Sequence, residues 1–257
     1  MTNDYAVLIL SCDKYSDLWT PFFQEFWKHW PDCPYKVYLG SNEITPPSDT
    51  KAISLLSGKD LDWSSSFKKI LDQITEEHIL VWIEDAFISS QVSTHHIQAA
   101  FEFLAQSDVK QIHMKPVPKP DTVINESFGT YDRRAPYRVT AVGFWRKSTL
   151  MKLLLSGENA WNFEIMGSYR TAYEDGYHCL LTPPFRYEHM VEKGCWIKNG
   201  LDYCAKEKIS IDVAKRTTIQ SDLLSQLKTI YFNLALKVPW SLRLKTMDIL
   251  RRLIVSY

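Results

Sequence analysis

The sequence predicts an α/β fold: a single domain on a mostly parallel central sheet, of Rossmann-like type, with a helical extension at its carboxyl end. Three observations predict it. Ile79-Leu80-Val81-Trp82-Ile83 is a continuous apolar run of strand length, the pattern of a strand covered by helices on both faces. Strand, helix and strand patterns succeed one another between residues 5 and 39 at the spacing of a βαβ unit, and such units build parallel sheets. The alternation of strand and helix patterns then continues to about residue 155.

In chain order, Tyr5 to Leu10 reads as a buried strand that ends in the polar loop Ser11-Cys12-Asp13-Lys14-Tyr15. Ser16 or Asp17 can cap a helix over 18–30, whose Phe22, Phe23, Phe26, Trp27 and Trp30 fall at helical spacing. Pro31 and Pro34 stop it, and strands are expected over 35–39 and 51–56. Trp63-Ser64-Ser65-Ser66 starts a helix with Phe67, Ile70, Leu71 and Ile74 on one face. After the Ile79 strand, Ser93 or Thr94 opens a helix through Ala105, and 109–114 reads as a strand. Residues 115–121, with three prolines, read as irregular, 139–145 as a strand and 148–155 as a helix. From 156 to 200 the periodicity breaks down into a stretch dense in Trp, Glu, Gly, Tyr and His, the signature of functional loops.

With 257 residues, 45% hydrophobic and 23% charged, the chain can bury a sizeable core. Lys+Arg 30 against Asp+Glu 30 leaves no net charge, which argues against a dedicated nucleic-acid binder. Cys12, Cys33, Cys179, Cys195 and Cys204 are scattered and form no CxxC pair. They predict neither a zinc site nor a disulfide framework, and a reducing, cytoplasmic compartment. Neither a secretory leader nor a membrane-spanning run is expected.

Four groups of residues can carry chemistry. The loop at Ser11, Asp13 and Lys14 would stand at the carboxyl edge of the sheet, where α/β folds collect ligands. Asp13 can accept from a hydroxyl or ring N–H and Lys14 can face a phosphate, or both can be solvated turn residues. Glu84 and Asp85 end the central strand and can hold a divalent metal or a ribose hydroxyl, or form an ordinary solvated strand end. In Trp161-Asn162-Phe163-Glu164, Glu164 has apolar neighbours that could raise a carboxyl toward the range of a general base. Trp161 could stack on a sugar ring, and the plainer alternative is a helix start with a surface Glu. In the 185–196 segment, His189 can be a metal or phosphate ligand, and Arg186 or Lys193 can neutralise a diphosphate; a lone His is more often structural.

Taken in order, Ser11-Cys12-Asp13-Lys14-Tyr15, Glu84-Asp85-Ala86-Phe87, Trp161-Asn162-Phe163-Glu164 and Tyr187-Glu188-His189-Met190-Val191-Glu192-Lys193-Gly194 resemble the nucleotide-sugar-dependent glycosyltransferases of GT-A type found in bacterial capsule and lipopolysaccharide clusters. The resemblance covers roughly residues 5–212. It implies that Ser11 and Asp13 contact the nucleotide. Glu84 and Asp85 would stand where an Asp-x-Asp motif meets metal and diphosphate, with His189 completing a Mn²⁺ or Mg²⁺ site. Glu164 would be the base of an inverting reaction, with Asp175 as the spare candidate, and Trp161 would lie by the acceptor. Ala86 stands where the second Asp of Asp-x-Asp would be, so Lys14, Arg186 or Lys193 could supply the metal's charge instead. Two rivals stay open: a nucleotidyl- or phosphoribosyl-type transferase on the same sheet edge, and a non-catalytic nucleotide- or glycan-binding module.

The domain is expected to span 1–220. The remaining 221–257 read as amphipathic helix interrupted by Pro239, carrying Lys228, Lys237, Arg243, Lys245, Arg251 and Arg252 against the single acid Asp248 over 224–257. A basic amphipathic helix suits an anionic membrane surface, here the inner face of the cell membrane and a lipid-linked glycan acceptor. The alternative is a helix pair docked on the domain or in a homodimer.

Overall fold

The computed structural model describes residues 4–219 and the single positions Leu234 and Leu242. The expected basic helix of 221–257, and with it the membrane contact, lies outside the described residues. The chain runs β1 (Tyr5–Leu10), α1 (Trp19–His29), β2 (Lys36–Ser41), β3 (Ile53–Leu56), α2 (Trp63–Leu71), β4 (His78–Ile83), β5 (Ala86–Ile88) and α3 (Thr94–Leu104). It continues with β6 (Gln111–His113), β7 (Thr122–Val123), β8 (Phe128–Thr130), β9 (Gly143–Arg146), α4 (Lys147–Leu153), α5 (Ala160–Arg170) and β10 (Tyr177–Leu180). Last come β11 (Tyr187–His189), β12 (Val191–Glu192), β13 (Cys195–Trp196) and α6 (Lys198–Glu207).

Nine strands form one sheet in the order β3-β2-β1-β4-β9-β6-β10-β8-β7. β1, β2, β3 and β4 are mutually parallel; β9 and β8 are reversed, and β6, β10 and β7 return to the direction of β1. The sheet is therefore mostly parallel. β1, and β4 from Ile79 onward, are apolar because both their faces are covered. On one face, α1 and α3 contribute Trp19, Phe22, Phe26, Ile97 and Phe101; on the other, α2, α4 and α5 contribute Phe67, Ile70, Leu150 and Phe163. At about 25 cal/mol per Å², burying such aromatic and aliphatic side chains is the main favourable contribution to the fold.

Three expectations change. The first helix begins at Trp19, and neither Ser16 nor Asp17 caps it: residues Asp13–Leu18 form a 3-10 turn, and the capping position, Leu18, has no side-chain acceptor. The strand expected from 139 begins only at Gly143. Upstream, the Val139 and Ala141 amides donate to Ser168 Oγ and Glu164 Oε1 on α5 rather than to a neighbouring strand. Gly143 adopts φ +122°, and a Cβ there would lie 2.8 Å from the Ile112 carbonyl oxygen, so glycine makes this entry possible. The stretch 156–200 is more regular than its pattern suggests and contains α5, β10, β11, β12, β13 and the first residues of α6. The helical signal of α5 is weak because apolar side chains lie on both its faces: Phe163 is buried, while Trp161, Met166 and Tyr169 are exposed. Its start is nevertheless capped, Asn159 Oδ1 accepting from the Asn162 amide at 2.9 Å.

Candidate functional site

The central strand stops where its side chains turn acidic. β4 ends at Ile83, Glu84 and Asp85 form the turn, and β5 leaves the main sheet to pair antiparallel with β11. The ladder sets His189 opposite Ala86, and the Met190 amide donates to the Asp85 carbonyl at 2.7 Å. The pairing thus brings the His189 backbone beside that of the acid pair although more than 100 residues separate them in sequence, while the charges that act on its ring are those of Lys115 and Glu192. Burial, and then the positive charge of Lys115, push the His189 ring below its ordinary pKa.

Glu84 is buried, and burial followed by the Asp85 charge holds its carboxyl well above the usual range. Asp85 is raised by burial to about 6. Its Oδ1 is buried without a hydrogen-bond partner among the described residues. A buried, unpartnered carboxylate oxygen costs stability.

Around the pair, the loops after β1, β2 and β3 are stitched together. Asp13 accepts from the backbone amides of Asn42 and Glu43 at 3.0 Å and of Ile44 at 3.2 Å, and its own amide donates to Asn42 Oδ1. Asn42 in turn reaches Ser57 Oγ. The Asp13 carboxylate is thereby engaged in building the loop. The Ser11 hydroxyl accepts from Trp19 Nε1 at 2.7 Å and lies against the Glu84 carboxyl. Lys14, Arg186 and Lys193 are exposed, and Lys193 sits with positive φ in the turn between β12 and β13.

Among the described residues, a basic side chain whose charge reaches both acids is Arg216, which sequence reasoning missed. Its segment is held by the Trp196 amide donating to the Thr217 carbonyl at 2.8 Å and by Ile219 donating back to Trp196. The guanidinium grips Asp17 with Nε at 3.0 Å and Nη2, donates to the Lys14 carbonyl, and lies over the Tyr15 ring at 4.5 Å. The fork geometry of arginine allows all of this at once. No local signal in Val-Ala-Lys-Arg-Thr-Thr announces the role, because the partner is 199 residues away.

Glu164 faces inward from α5. Oε1 accepts from Thr140 Oγ1 and from the Ala141 amide, both at 2.9 Å, and burial raises its pKa. The pairing of Gly143 with Val81 places residues 140 and 141 beside the end of β4, so Glu164 attends the same sheet edge as Glu84 and Asp85. Trp161, one turn earlier, is 63% exposed. Asp175 does not join them. It precedes β10, which runs in the direction of β4, so it stands at the amino edge, where Arg133 binds it in a two-pronged ion pair.

Among the described residues no three His, Cys, Asp or Glu side chains gather into a metal-binding cluster. Magnesium and manganese at a diphosphate need only one or two protein carboxylates, and the unpartnered Asp85 oxygen fits that lesser demand. No described helix is long and apolar enough to cross a membrane.

Neither a protein-family model nor a curated protein sequence matches the chain. Solved structures do. Staphylococcus aureus TarS 1–349 in complex with UDP-GlcNAc aligns with 98% of this chain and 76% of its own, at 15% identity and a TM-score of 0.50. S. aureus TarS aligns over 71% of this chain and 36% of its own at 13% identity (TM-score 0.44), and apo GlyE of Streptococcus pneumoniae TIGR4 over 95% and 62% at 14% (TM-score 0.41). The matched part is thus little more than a third of the length of the longer TarS chain. At these identities the likeness concerns the fold alone, a single GT-A-like, Rossmann-type α/β domain.

Proposed function

We propose that the protein is a glycosyltransferase that moves a sugar from a nucleotide-sugar donor to a surface polysaccharide or lipopolysaccharide acceptor. The observation that carries this reading is the Glu84–Asp85 pair at the carboxyl edge of a GT-A-like sheet, Glu84 buried and Asp85 half-buried with one buried oxygen unpartnered among the described residues. A fold retains so costly an arrangement where a ligand uses it.

The nucleoside lies over the loops after β1 and β2, with Ser11, Asn42 and the Asp13-braced backbone beside it. The diphosphate reaches the acid pair. A divalent ion held there by Asp85, with His189 alongside, would offset the leaving group's charge; Arg216 adds fixed positive charge nearby. Glu164 removes the proton from the acceptor hydroxyl as its oxygen attacks the anomeric carbon and the bond to the diphosphate breaks. Attack opposite the leaving group inverts the anomeric centre. Burial favours proton uptake by Glu164, and the Thr140 and Ala141 donors hold its orientation. Trp161 supplies a face for the acceptor sugar.

The test is a thermal-shift panel of UDP, GDP, CDP and CMP, each with and without Mn²⁺. A ligand of the folded state raises the melting temperature by mass action, so one nucleotide should do so, and more strongly with Mn²⁺ if Asp85 holds the ion. Silence from all four at millimolar concentration would remove the donor from this reading and leave a non-nucleotide role for the sheet edge.

A further inference from the structure

Lys115 follows β6 by two residues and therefore lies at the carboxyl edge of the sheet, on the side of the acid pair away from the β1 and β2 loops. It is exposed, and no carboxylate among the described residues pairs with it. Its ammonium donates to the Tyr187 hydroxyl and stands 5.1 Å from that ring's centre. Tyr187 is itself fixed, edge-on to Trp82 at 4.9 Å and to His189 at 5.2 Å. Because the phenolic oxygen accepts from Lys115, its own hydrogen is free to donate elsewhere. An ammonium with no counter-ion among the described residues and an oriented hydroxyl thus sit side by side on a rigid aromatic base.

We propose that Lys115 and Tyr187 form an anion subsite on the acceptor side of the centre, which takes a phosphate or carboxylate group carried by the acceptor. The inference rests on the glycosyltransferase reading. With the nucleoside over β1 and β2 and the diphosphate at the end of β4, a cation at the end of β6 lies beyond the reacting carbon. Its partner is then a group on the incoming chain rather than the donor's diphosphate. An ammonium and a hydroxyl together suit a singly or doubly charged oxyanion.

The experiment uses the full chain saturated with whichever of UDP, GDP or CDP stabilises it most, and titrates methyl phosphate and methyl glucuronide separately by ligand-observed NMR. The two probes distinguish a phosphate-bearing from a carboxylate-bearing acceptor. The expected result is binding of at least one, weakened about tenfold or more in Lys115→Gln, less in Tyr187→Phe, and retained in Lys115→Arg. Nucleotide affinity should be unchanged in all three, and because Lys115 is exposed its replacement should leave the melting temperature in place. If Lys115→Gln instead weakens the nucleotide, the cation serves the donor and the proposal is overturned. Failure of both anions to bind the nucleotide-loaded protein also overturns it while leaving the glycosyltransferase reading intact. Failure of every nucleotide to bind takes both down together.

Discussion

Replacing Asp85 by Asn should stabilise the protein while impairing it. Asp85 sits in the fold with a carboxyl raised by burial from its ordinary 3.8 to about 6. The folded state therefore holds this proton more tightly than the unfolded chain does. Stability from this group is greatest below the ordinary value, declines as pH rises from about 4 to about 6, and stays lower above that. At about 1.4 kcal/mol per pH unit, the cost of the ionised group levels off at about 3 kcal/mol. It is still near 1 kcal/mol at pH 4.5. Asn carries no charge at either pH, so Asp85→Asn should gain up to about 3 kcal/mol at pH 8 and about 1 kcal/mol at pH 4.5. For a chain of this size that is a rise in melting temperature of about 6–12 °C at pH 8 and a third of that at pH 4.5. The assay is calorimetry of both proteins in EDTA at the two pH values, with nucleotide binding measured alongside. A melting temperature that falls at pH 8, or a gain that does not shrink in acid, would refute the assignment of Asp85 as a buried, uncompensated acid.

The other predictions concern residues with different duties. Glu164→Gln keeps an acceptor for Thr140 and Ala141, so the fold should hold while glycosyl transfer to a hydroxyl acceptor drops about 10²- to 10⁴-fold, measured under saturating donor. Arg216→Ala leaves Asp17 largely buried and unpaired, and urea denaturation should report a loss of about 3–5 kcal/mol; Asp17→Asn in the same background should recover part of it. Gly176→Ala would place a Cβ 2.1 Å from the Asp108 carbonyl oxygen at φ +98°, and should cost about 2 kcal/mol or more in the same assay, without a specific effect on nucleotide affinity. Trp161→Ala, at an exposed position, should move stability by less than about 0.5 kcal/mol yet raise the KM for acceptor; equal KM values would remove it from the acceptor path.

What could be read from the sequence was what periodicity and burial encode. β1, β4, α1 and α3 were legible because a strand covered on both faces must be apolar throughout, and a helix on a sheet must present one apolar stripe. The reversed β9 was not legible, since an apolar run has the same composition in either direction. Its shortened start depends on α5 side chains that draw the Val139 and Ala141 amides out of the ladder. In the candidate site, Glu84 and Asp85 stood out because two acids end an apolar strand. The juxtaposition of His189 needs the β5–β11 pairing, and the grip of Arg216 on Asp17 needs the chain to return after 199 residues. Asp175 illustrates the opposite error. Its acidic, glycine-flanked context looks reactive, but only the direction of β10 reveals that it lies at the other edge of the sheet.

The same geometry explains why the acid pair is better suited to a ligand than to structural support. A structural role would be served by apolar side chains of similar volume, which burial favours and which leave no orphaned oxygen. Arg216 could have neutralised the acids directly, yet its guanidinium is turned to Asp17 and the Lys14 carbonyl, so that only its field reaches them. The pair is left short of positive charge while its surroundings are tightly built: Asp13 braces one loop, Trp19 holds Ser11, and the Met190 amide, just past β11, holds the Asp85 carbonyl. Rigid walls around an uncompensated negative centre form a preorganised site. A cationic ligand entering it, such as a divalent ion carried by a diphosphate, would relieve a cost that the protein's own charges leave in place. Its binding should therefore weaken as pH falls below about 6 and Asp85 takes up its proton.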